Sequence, residues 1–261
     1  MAENDEFGPL PGFEEPPARF ESASQIARFQ SEPWVQRNLF CPACGESAFE
    51  RFPNNQPVAD LYCGNCAEQF ELKSQASRFG AKVVDGAFRT MQARIGSKEN
   101  PNLMLLRYDR AAGPQDVTVI PKHFFVPAII EERKPLAPTA RRAGWVGCNI
   151  LIGQVPGVGR IPLVRERRLL PRDAVVETWR RTLFLREQKL EARGWLLEVM
   201  KAVEAIGRPE FALADVYDAE DRLHVVFPNN QNVRPKIRQQ LQVLRDRGFL
   251  EFSGRGTYRL R

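Results

Sequence analysis

The sequence predicts an α+β protein in two parts: a mixed body holding a four-cysteine metal site, then a small α/β module of helices closed by a hairpin. Three observations carry this. Two Cys-x-x-Cys pairs stand close together in the first third of the chain, strand-like and helical runs alternate up to about residue 185, and residues 186–261 read helix, helix, helix, hairpin. At 261 residues the chain exceeds the usual size of one domain. We divide it into an acidic, proline-rich arm over 1–20, a body over 21–185 and a C-terminal module over 186–261.

In the arm, Pro9, Pro11, Pro16 and Pro17 among glutamates cannot build a periodic apolar face, so it is expected to be disordered or loosely docked. From Ser22 to Leu39 the positions of Ile26, Phe29, Trp34 and Val35 predict a helix that breaks near Pro33. Residues 40–73 alternate short extended runs with the cysteine turns, and 83–95 reads as a helix through Val84, Ala87, Met91 and Ile95. Leu103–Tyr108 and Val117–Ile120 read as buried strands. Proline and glycine punctuate 131–164, which is expected to be mainly loop with strands at Cys148–Ile152 and Arg160–Val164. A helix around Ala174–Phe184 closes the body.

Charge is unevenly spread. The net charge of +6 hides a run of nine basic against three acidic residues over 131–172 and eight against two over 229–261. Basic stretches mixed with aromatic and amide residues fit a nucleic-acid partner better than a membrane, because no amphipathic anchor accompanies them. No apolar run approaches the roughly 18 residues of a membrane span, and the opening lacks the basic start of an export signal. A cytoplasmic protein with no membrane partner and no obligate protein partner is expected.

Cys41-x2-Cys44 and Cys63-x2-Cys66 are separated by 18 residues. Two such turns can aim four thiolates at one point, the donor set of a tetrahedral, closed and therefore structural zinc. Gly45 and Gly64 beside them are expected to relax the backbone. Disulfides are disfavoured in a reducing compartment. Cys148, alone in an apolar context, reads as a small core residue.

Around the second cysteine pair lie Pro57-Val58-Ala59-Asp60 and Glu71-Leu72-Lys73. If the flanking segments are strands joined through the Cys63/Cys66 turn, Glu71 and Lys73 share a face, because residues two apart in a strand do. Asp60 would approach from the neighbouring strand. Two carboxylates and an ammonium converging in this way suit magnesium and phosphodiester hydrolysis, with the carboxylates holding the ion and the lysine orienting or deprotonating water. The spacing is the PD-(D/E)XK nuclease pattern; a surface ion pair at a strand end is the competing reading. His123 and His224 stand too far from any partner motif to suggest a histidine site, and no phosphate-loop or nucleophile-elbow motif is present.

In the C-terminal module, helices are expected at about Glu187–Ile206, Leu213–Asp218 and Asn229–Arg245. The third buries Ile237, Leu241 and Leu244, is expected to be capped by asparagines including Asn232, and leaves Arg234, Lys236, Arg238, Gln239 and Gln242 outward. Arginine can bond guanine, and asparagine or glutamine can bond adenine, in the major groove. Phe249–Phe252 and Thr257–Leu260 form a hairpin with Arg255 at its tip. Three helices followed by a basic wing make a winged helix.

With these residues in place, Asn54-Asn55-Gln56-Pro57-Val58-Ala59-Asp60, Phe70-Glu71-Leu72-Lys73-Ser74, the run from Arg133 to Trp145 with Gly147-Cys148-Asn149-Ile150, and Lys236-Ile237-Arg238-Gln239-Gln240-Leu241-Gln242 closely resemble the DpnI family of methyl-directed restriction endonucleases. The resemblance runs from about Ser24 to the C-terminus; the arm to about Phe20 and the last basic residues depart from the family's pattern. It implies a PD-(D/E)XK core with an embedded four-cysteine zinc site, a winged helix, and magnesium-dependent cleavage of double-stranded DNA at GATC carrying N6-methyl-adenine. Carried over, Asp60 and Glu71 hold magnesium, Lys73 assists water, and Cys41, Cys44, Cys63 and Cys66 hold zinc. A reader of methyl-adenine needs an apolar surface in the major groove. The loop with Arg141, Arg142 and Trp145 is the candidate, a core position for Trp145 being the alternative. The rival functions are a zinc-containing winged-helix regulator or methyl-adenine reader that does not cut, and a repair or junction nuclease that follows DNA shape.

Overall fold

The computed structural model describes residues 9–17, 22–52, 59–95, 97 and 100–261. In chain order the first elements are α1 (Ala23–Asn38), β1 (Phe49–Arg51), β2 (Leu61–Cys63), β3 (Gln69–Gln75), β4 (Val83–Ala87), α2 (Phe88–Arg94), β5 (Asn102–Asp109) and β6 (Gly113–Ile120). Then come β7 (Ile130–Glu132), β8 (Gly147–Ile150), β9 (Ile161–Arg165), β10 (Arg168–Leu169) and α3 (Arg172–Thr182). The last are α4 (Leu190–Ile206), β11 (Glu210–Ala212), α5 (Leu213–Tyr217), α6 (Glu220–Val226), α7 (Val233–Asp246), β12 (Leu250–Gly254) and β13 (Thr257–Leu260). The chain divides into two compact units. One takes its described residues from Met1–Val83, Ala93–Lys122 and Val158–Thr182, the other from Val84–Gln92, His123–Gly157 and Leu183–Arg261.

The first unit is built on a seven-stranded sheet in the order β1-β2-β3-β5-β6-β9-β10. Its β3–β5 pair is parallel, and the other pairs are antiparallel. Strand β5 occupies the middle, and its run Leu103-Met104-Leu105-Leu106 is buried on both faces, which is why it reads as continuously apolar. Phe49 meets Phe70 edge-on at 5.2 Å, and Phe70 lies 6.5 Å from Trp179 of α3. Each fully buried ring of this kind contributes about 1.5–3 kcal/mol.

One sequence expectation changes in this unit, and for the described part of the arm one of two alternatives is selected. Helix α1 runs through Pro33 to Asn38 and does not break there. Trp34 and Val35, the two residues after the proline, are 1% and 0% exposed, and their burial outweighs the roughly 3 kcal/mol cost of an interior proline. The arm over residues 9–17 is docked by specific bonds. Leu10 N donates to Arg167 O at 2.8 Å, and Arg167 Nη2 returns a bond to Leu10 O at 3.0 Å. Trp34 Nε1 donates to Pro11 O at 2.8 Å, Phe13 meets the rings of Trp34 and Tyr108, and Glu14 pairs with Arg37 at 2.5 Å. Gly12 and Gly113 make this approach possible: a Cβ on Gly113, at φ +81°, would stand 2.7 Å from Gly12 Cα.

In the second unit β4, β8 and β7 form a small sheet. Residues 83–87, read as helical, are the strand β4, since Val83 and Val84 are β-branched and burial alternates along Val83–Ala87; only Phe88–Arg94 is helical. Cys148 is fully buried as expected. The C-terminal part follows the expected order with two additions, α6 and β11, the latter completing a β11-β13-β12 sheet. Trp195 is fully buried in α4 and stacks on Phe227 at 4.0 Å, and α7 buries Val233, Ile237, Leu241 and Leu244. No helix among the described residues is long and apolar enough to cross a membrane.

Candidate functional site

Cys41 and Cys44 sit in the turn between α1 and β1, and Cys63 and Cys66 in the turn from β2 to β3. Their four sulfurs lie within 4.8 Å of one another, with Cys41 Sγ 3.7 Å from Cys66 Sγ and Cys44 Sγ 3.6 Å from Cys63 Sγ. The two turns repeat one geometry. Gly45 N donates to Cys41 O and Ala67 N to Cys63 O, each at 2.8 Å, while Cys41 N donates to Glu46 O and Cys63 N to Glu68 O, each at 2.9 Å. The residue after each second cysteine is left-handed, Gly45 at φ +86° and Ala67 at φ +59°. Gly64 therefore does not play the part expected of it; its amide instead donates to Ala48 O at 2.8 Å.

Burial pushes the Cys41 thiol far up and the Cys66 thiol up to about 12. Burial also opposes ionisation of Cys44, but hydrogen bonds from the Asn65 side chain and the Glu46 backbone outweigh it and lower that thiol. Four sulfurs this close cannot all ionise without a cation to share, so the quartet fits zinc with no open coordination position.

The same β2–β3 turn arranges the carboxylates and the lysine. Asp60 stands just before β2; its N–H donates to Phe70 O at 3.0 Å, and its Oδ2 accepts from Leu72 N at 2.8 Å. Leu72 lies between Glu71 and Lys73, whose side chains share a face of β3 and meet at 2.5 Å from Nζ to Oε1. All three groups stay partly open to solvent, with side chains 24–27% exposed. Among the described residues the cysteine quartet is the one group of three or more metal-ligating side chains close enough to share an ion. Two carboxylates fit magnesium, which keeps several waters and needs only one or two protein ligands beside a substrate phosphate.

Sequence reasoning missed two residues here, Arg28 and Glu32 on α1. Arg28 Nε donates to Glu32 Oε1 at 2.5 Å, and Arg28 Nη2 stands 3.7 Å from Asp60 Oδ1. Burial, with Asp60 nearby adding to it, holds the Glu32 carboxyl above its ordinary range against the pull of Arg28 and Arg51. The available signal was the i, i+4 spacing of opposite charges.

In the second unit Arg133 N donates to Gly147 O and Leu136 N to Trp145 O, each at 3.0 Å, so the loop after β7 extends the β7–β8 hairpin. Lys134, Arg141 and Arg142 are exposed on it. Trp145 is half-buried and not a core residue; its ring lies against Gly147, where a Cβ would come within 2.8 Å, and Arg142 covers it at 4.8 Å.

On α7, Arg234, Arg238, Gln239 and Gln242 are exposed and Lys236 is partly so. Arg234 is held by Glu220 at 2.7 Å and covers the Tyr217 ring, whose hydroxyl accepts from Arg238 at 2.9 Å. Asn232 stands at the helix start but makes no capping side-chain bond, contrary to expectation; Asn230 Oδ1 accepts from Asn232 N instead. An open hollow of about 470 Å³ at this end is lined by Asn229, Asn230, Gln231, Asn232, Lys236 and Gln239. Arg255 is exposed at the hairpin tip.

A carboxylate–lysine cluster on an α+β body with a four-cysteine site, together with a C-terminal helical module presenting arginine and amides, is an arrangement compatible with a protein that acts on DNA. Comparison with protein families agrees. Residues 15–188 match the DpnI model, described as the Dam-replacing family, and residues 191–260 match DpnI_C, the Dam-replacing HTH domain. The chain belongs to the DpnI, or Dam-replacing, family of restriction nucleases and carries that family's DNA-binding HTH domain. The match starts at residue 15, inside the segment read as an arm, and reaches residue 260, within the basic end whose pattern departs from the family's.

Proposed function

We propose that this chain is a type II restriction endonuclease of the PD-(D/E)XK class, hydrolysing double-stranded DNA at GATC sites that contain N6-methyl-adenine. Residues 21–185 form the catalytic domain and 186–261 the winged-helix domain, with 1–20 as an N-terminal arm. The observation that carries the reading is the placing of Asp60 against the backbone of Leu72, between Glu71 and Lys73. Family membership supports it.

Asp60 and Glu71 would hold magnesium, which when bound neutralises charge on the scissile phosphate and acidifies water. Lys73, fixed beside Glu71, orients the attacking water and stabilises the charge that develops as the phosphorus–oxygen bond breaks. Cys41, Cys44, Cys63 and Cys66 would hold a structural zinc, which would fix the turn from which β2 and β3 leave and so Asp60 relative to Glu71.

Reading of the site is shared between two surfaces. Asn232, Arg234, Lys236, Arg238, Gln239, Gln242 and Arg255 serve the winged helix, and Arg141, Arg142 and Trp145 serve the β7–β8 hairpin. The half-buried Trp145 ring is the apolar surface that a methyl group needs. The reaction needs DNA, magnesium and zinc but no membrane and no protein partner, and it suits the cytoplasm.

A short duplex with one GATC site, methylated or not, tests this reading by separating binding from cutting. Lys73→Ala is expected to bind the methylated duplex like the wild type while cutting about 10²–10⁴-fold more slowly. Binding of the methylated duplex without cutting by zinc-loaded wild type in magnesium would favour a methyl-adenine reader instead.

A further inference from the structure

Asp60 has two carboxylate oxygens in different surroundings. Oδ2 is fixed on β3 by Leu72 N at 2.8 Å, whereas Oδ1 faces Arg28 Nη2 across 3.7 Å. Arg28 is not free to close that gap. Its Nε is drawn to Glu32 Oε1 at 2.5 Å, one turn along α1, and the Glu32 side chain is only 9% exposed against 43% for Arg28. A carboxylate this deeply buried needs a partner, and breaking such a pair is costly. The short contact to Glu32 and the long one to Asp60 therefore have different meanings: Arg28 is anchored by the first and leans on the second.

We infer that the Arg28–Glu32 pair is a positioning device that keeps Oδ1 of Asp60 oriented and opposes its occupation by a divalent cation until DNA is present. The inference rests on the nuclease reading above. Arg28 places a fixed positive charge beside the oxygen that a cation would use, and Glu32 cancels part of it while preventing the guanidinium from turning away. A DNA phosphate entering the site brings negative charge that offsets Arg28, so cation and DNA favour each other's binding. The free protein then binds the metal weakly and the DNA complex binds it well.

The signature is a pair of effects of opposite sign. In DNA-free protein titrated calorimetrically with calcium or magnesium, Arg28→Met is expected to bind the cation about tenfold more tightly. Glu32→Gln, which leaves Arg28 unscreened, is expected to bind it about tenfold more weakly. Because Glu32 acts through Arg28, the Glu32→Gln effect should shrink to about twofold or less in the Arg28→Met background. Duplex DNA should narrow the gap between Arg28→Met and wild type.

Zinc content and far-UV circular dichroism establish that each variant is folded, and Arg28→Lys, which keeps the charge but has one nitrogen where the guanidinium uses two, should fall between wild type and Arg28→Met. Unchanged affinity in Arg28→Met would overturn the inference. So would a Glu32→Gln effect undiminished in the double variant, which would make Glu32 a ligand in its own right. Asp60→Asn serves as the control. If wild type takes up no cation with or without DNA, and Asp60→Asn changes nothing, the nuclease reading itself falls and the inference with it. If uptake depends on Asp60 but not on Arg28, only the inference falls.

Discussion

Exchanging glycine and alanine between the two cysteine turns separates what the backbone requires from what the sulfurs require. Gly45 and Ala67 occupy the same left-handed position in matched turns, at φ +86° and +59°. A side-chain-bearing residue there costs about 1–2 kcal/mol relative to glycine, and glycine returns about 0.4–1 kcal/mol of that through the greater freedom of the unfolded chain. Gly45→Ala is therefore expected to lower stability by about 1 kcal/mol. No collision adds to this, because the nearest atoms to the new methyl, Val176 Cγ2 at 3.4 Å and Arg172 Cδ at 3.5 Å, are at ordinary contact distance. Ala67→Gly is expected to raise stability by a similar amount, and the double exchange to leave it nearly unchanged. In a chain of this length about 1 kcal/mol moves Tm by about 2–4 °C. Thermal unfolding of zinc-saturated proteins, with zinc content measured in parallel, reads the two shifts. A fall in Tm for Ala67→Gly, or no change for Gly45→Ala, would refute the argument that the left-handed position governs both turns.

Replacing the proline inside α1, Pro33→Ala, should restore a helical hydrogen bond and raise stability by about 1–3 kcal/mol, and a lower Tm would show the proline to be required where it is. Deleting residues 1–17 should remove the half-buried Phe13 and the backbone bonds of Leu10, lowering stability by about 2–4 kcal/mol; an unchanged Tm would mean that the arm does not hold the first unit together. Trp145→Ala should reduce the preference for methylated over unmethylated DNA about tenfold or more, the usual range for one methyl group in an apolar contact. A preserved ratio would release Trp145 from the methyl-reading role.

Much of the site was legible because its signals are local in sequence. The two cysteine pairs announce a shared metal through their spacing alone, and the four sulfurs come within 4.8 Å of one another. Glu71 and Lys73 meet because strand geometry places alternate residues on one face. The inward stripe of α7 was readable for the same reason. Tertiary effects hid the rest. Pro33 reads as a break because propensity is local, while the burial of Trp34 and Val35 that holds the helix together is not. Val83–Ala87 fits a helical spacing by coincidence, and only pairing in the β4-β8-β7 sheet makes it a strand. The docking contacts of the arm were not legible because its partners, Arg167, Trp34 and Tyr108, are far away in sequence. Glu32 escaped notice because nothing near it in the chain points to Asp60. Ala67 escaped because a left-handed position is usually filled by glycine, and nothing in an alanine signals it.

The most direct test digests one plasmid, prepared with and without adenine methylation at GATC, with wild type and Asp60→Ala in magnesium buffer. Cutting of the methylated plasmid alone, abolished in Asp60→Ala while zinc content is retained, is the result this account predicts. Equal cutting of both plasmids, or cutting that survives in zinc-loaded Asp60→Ala, would contradict it.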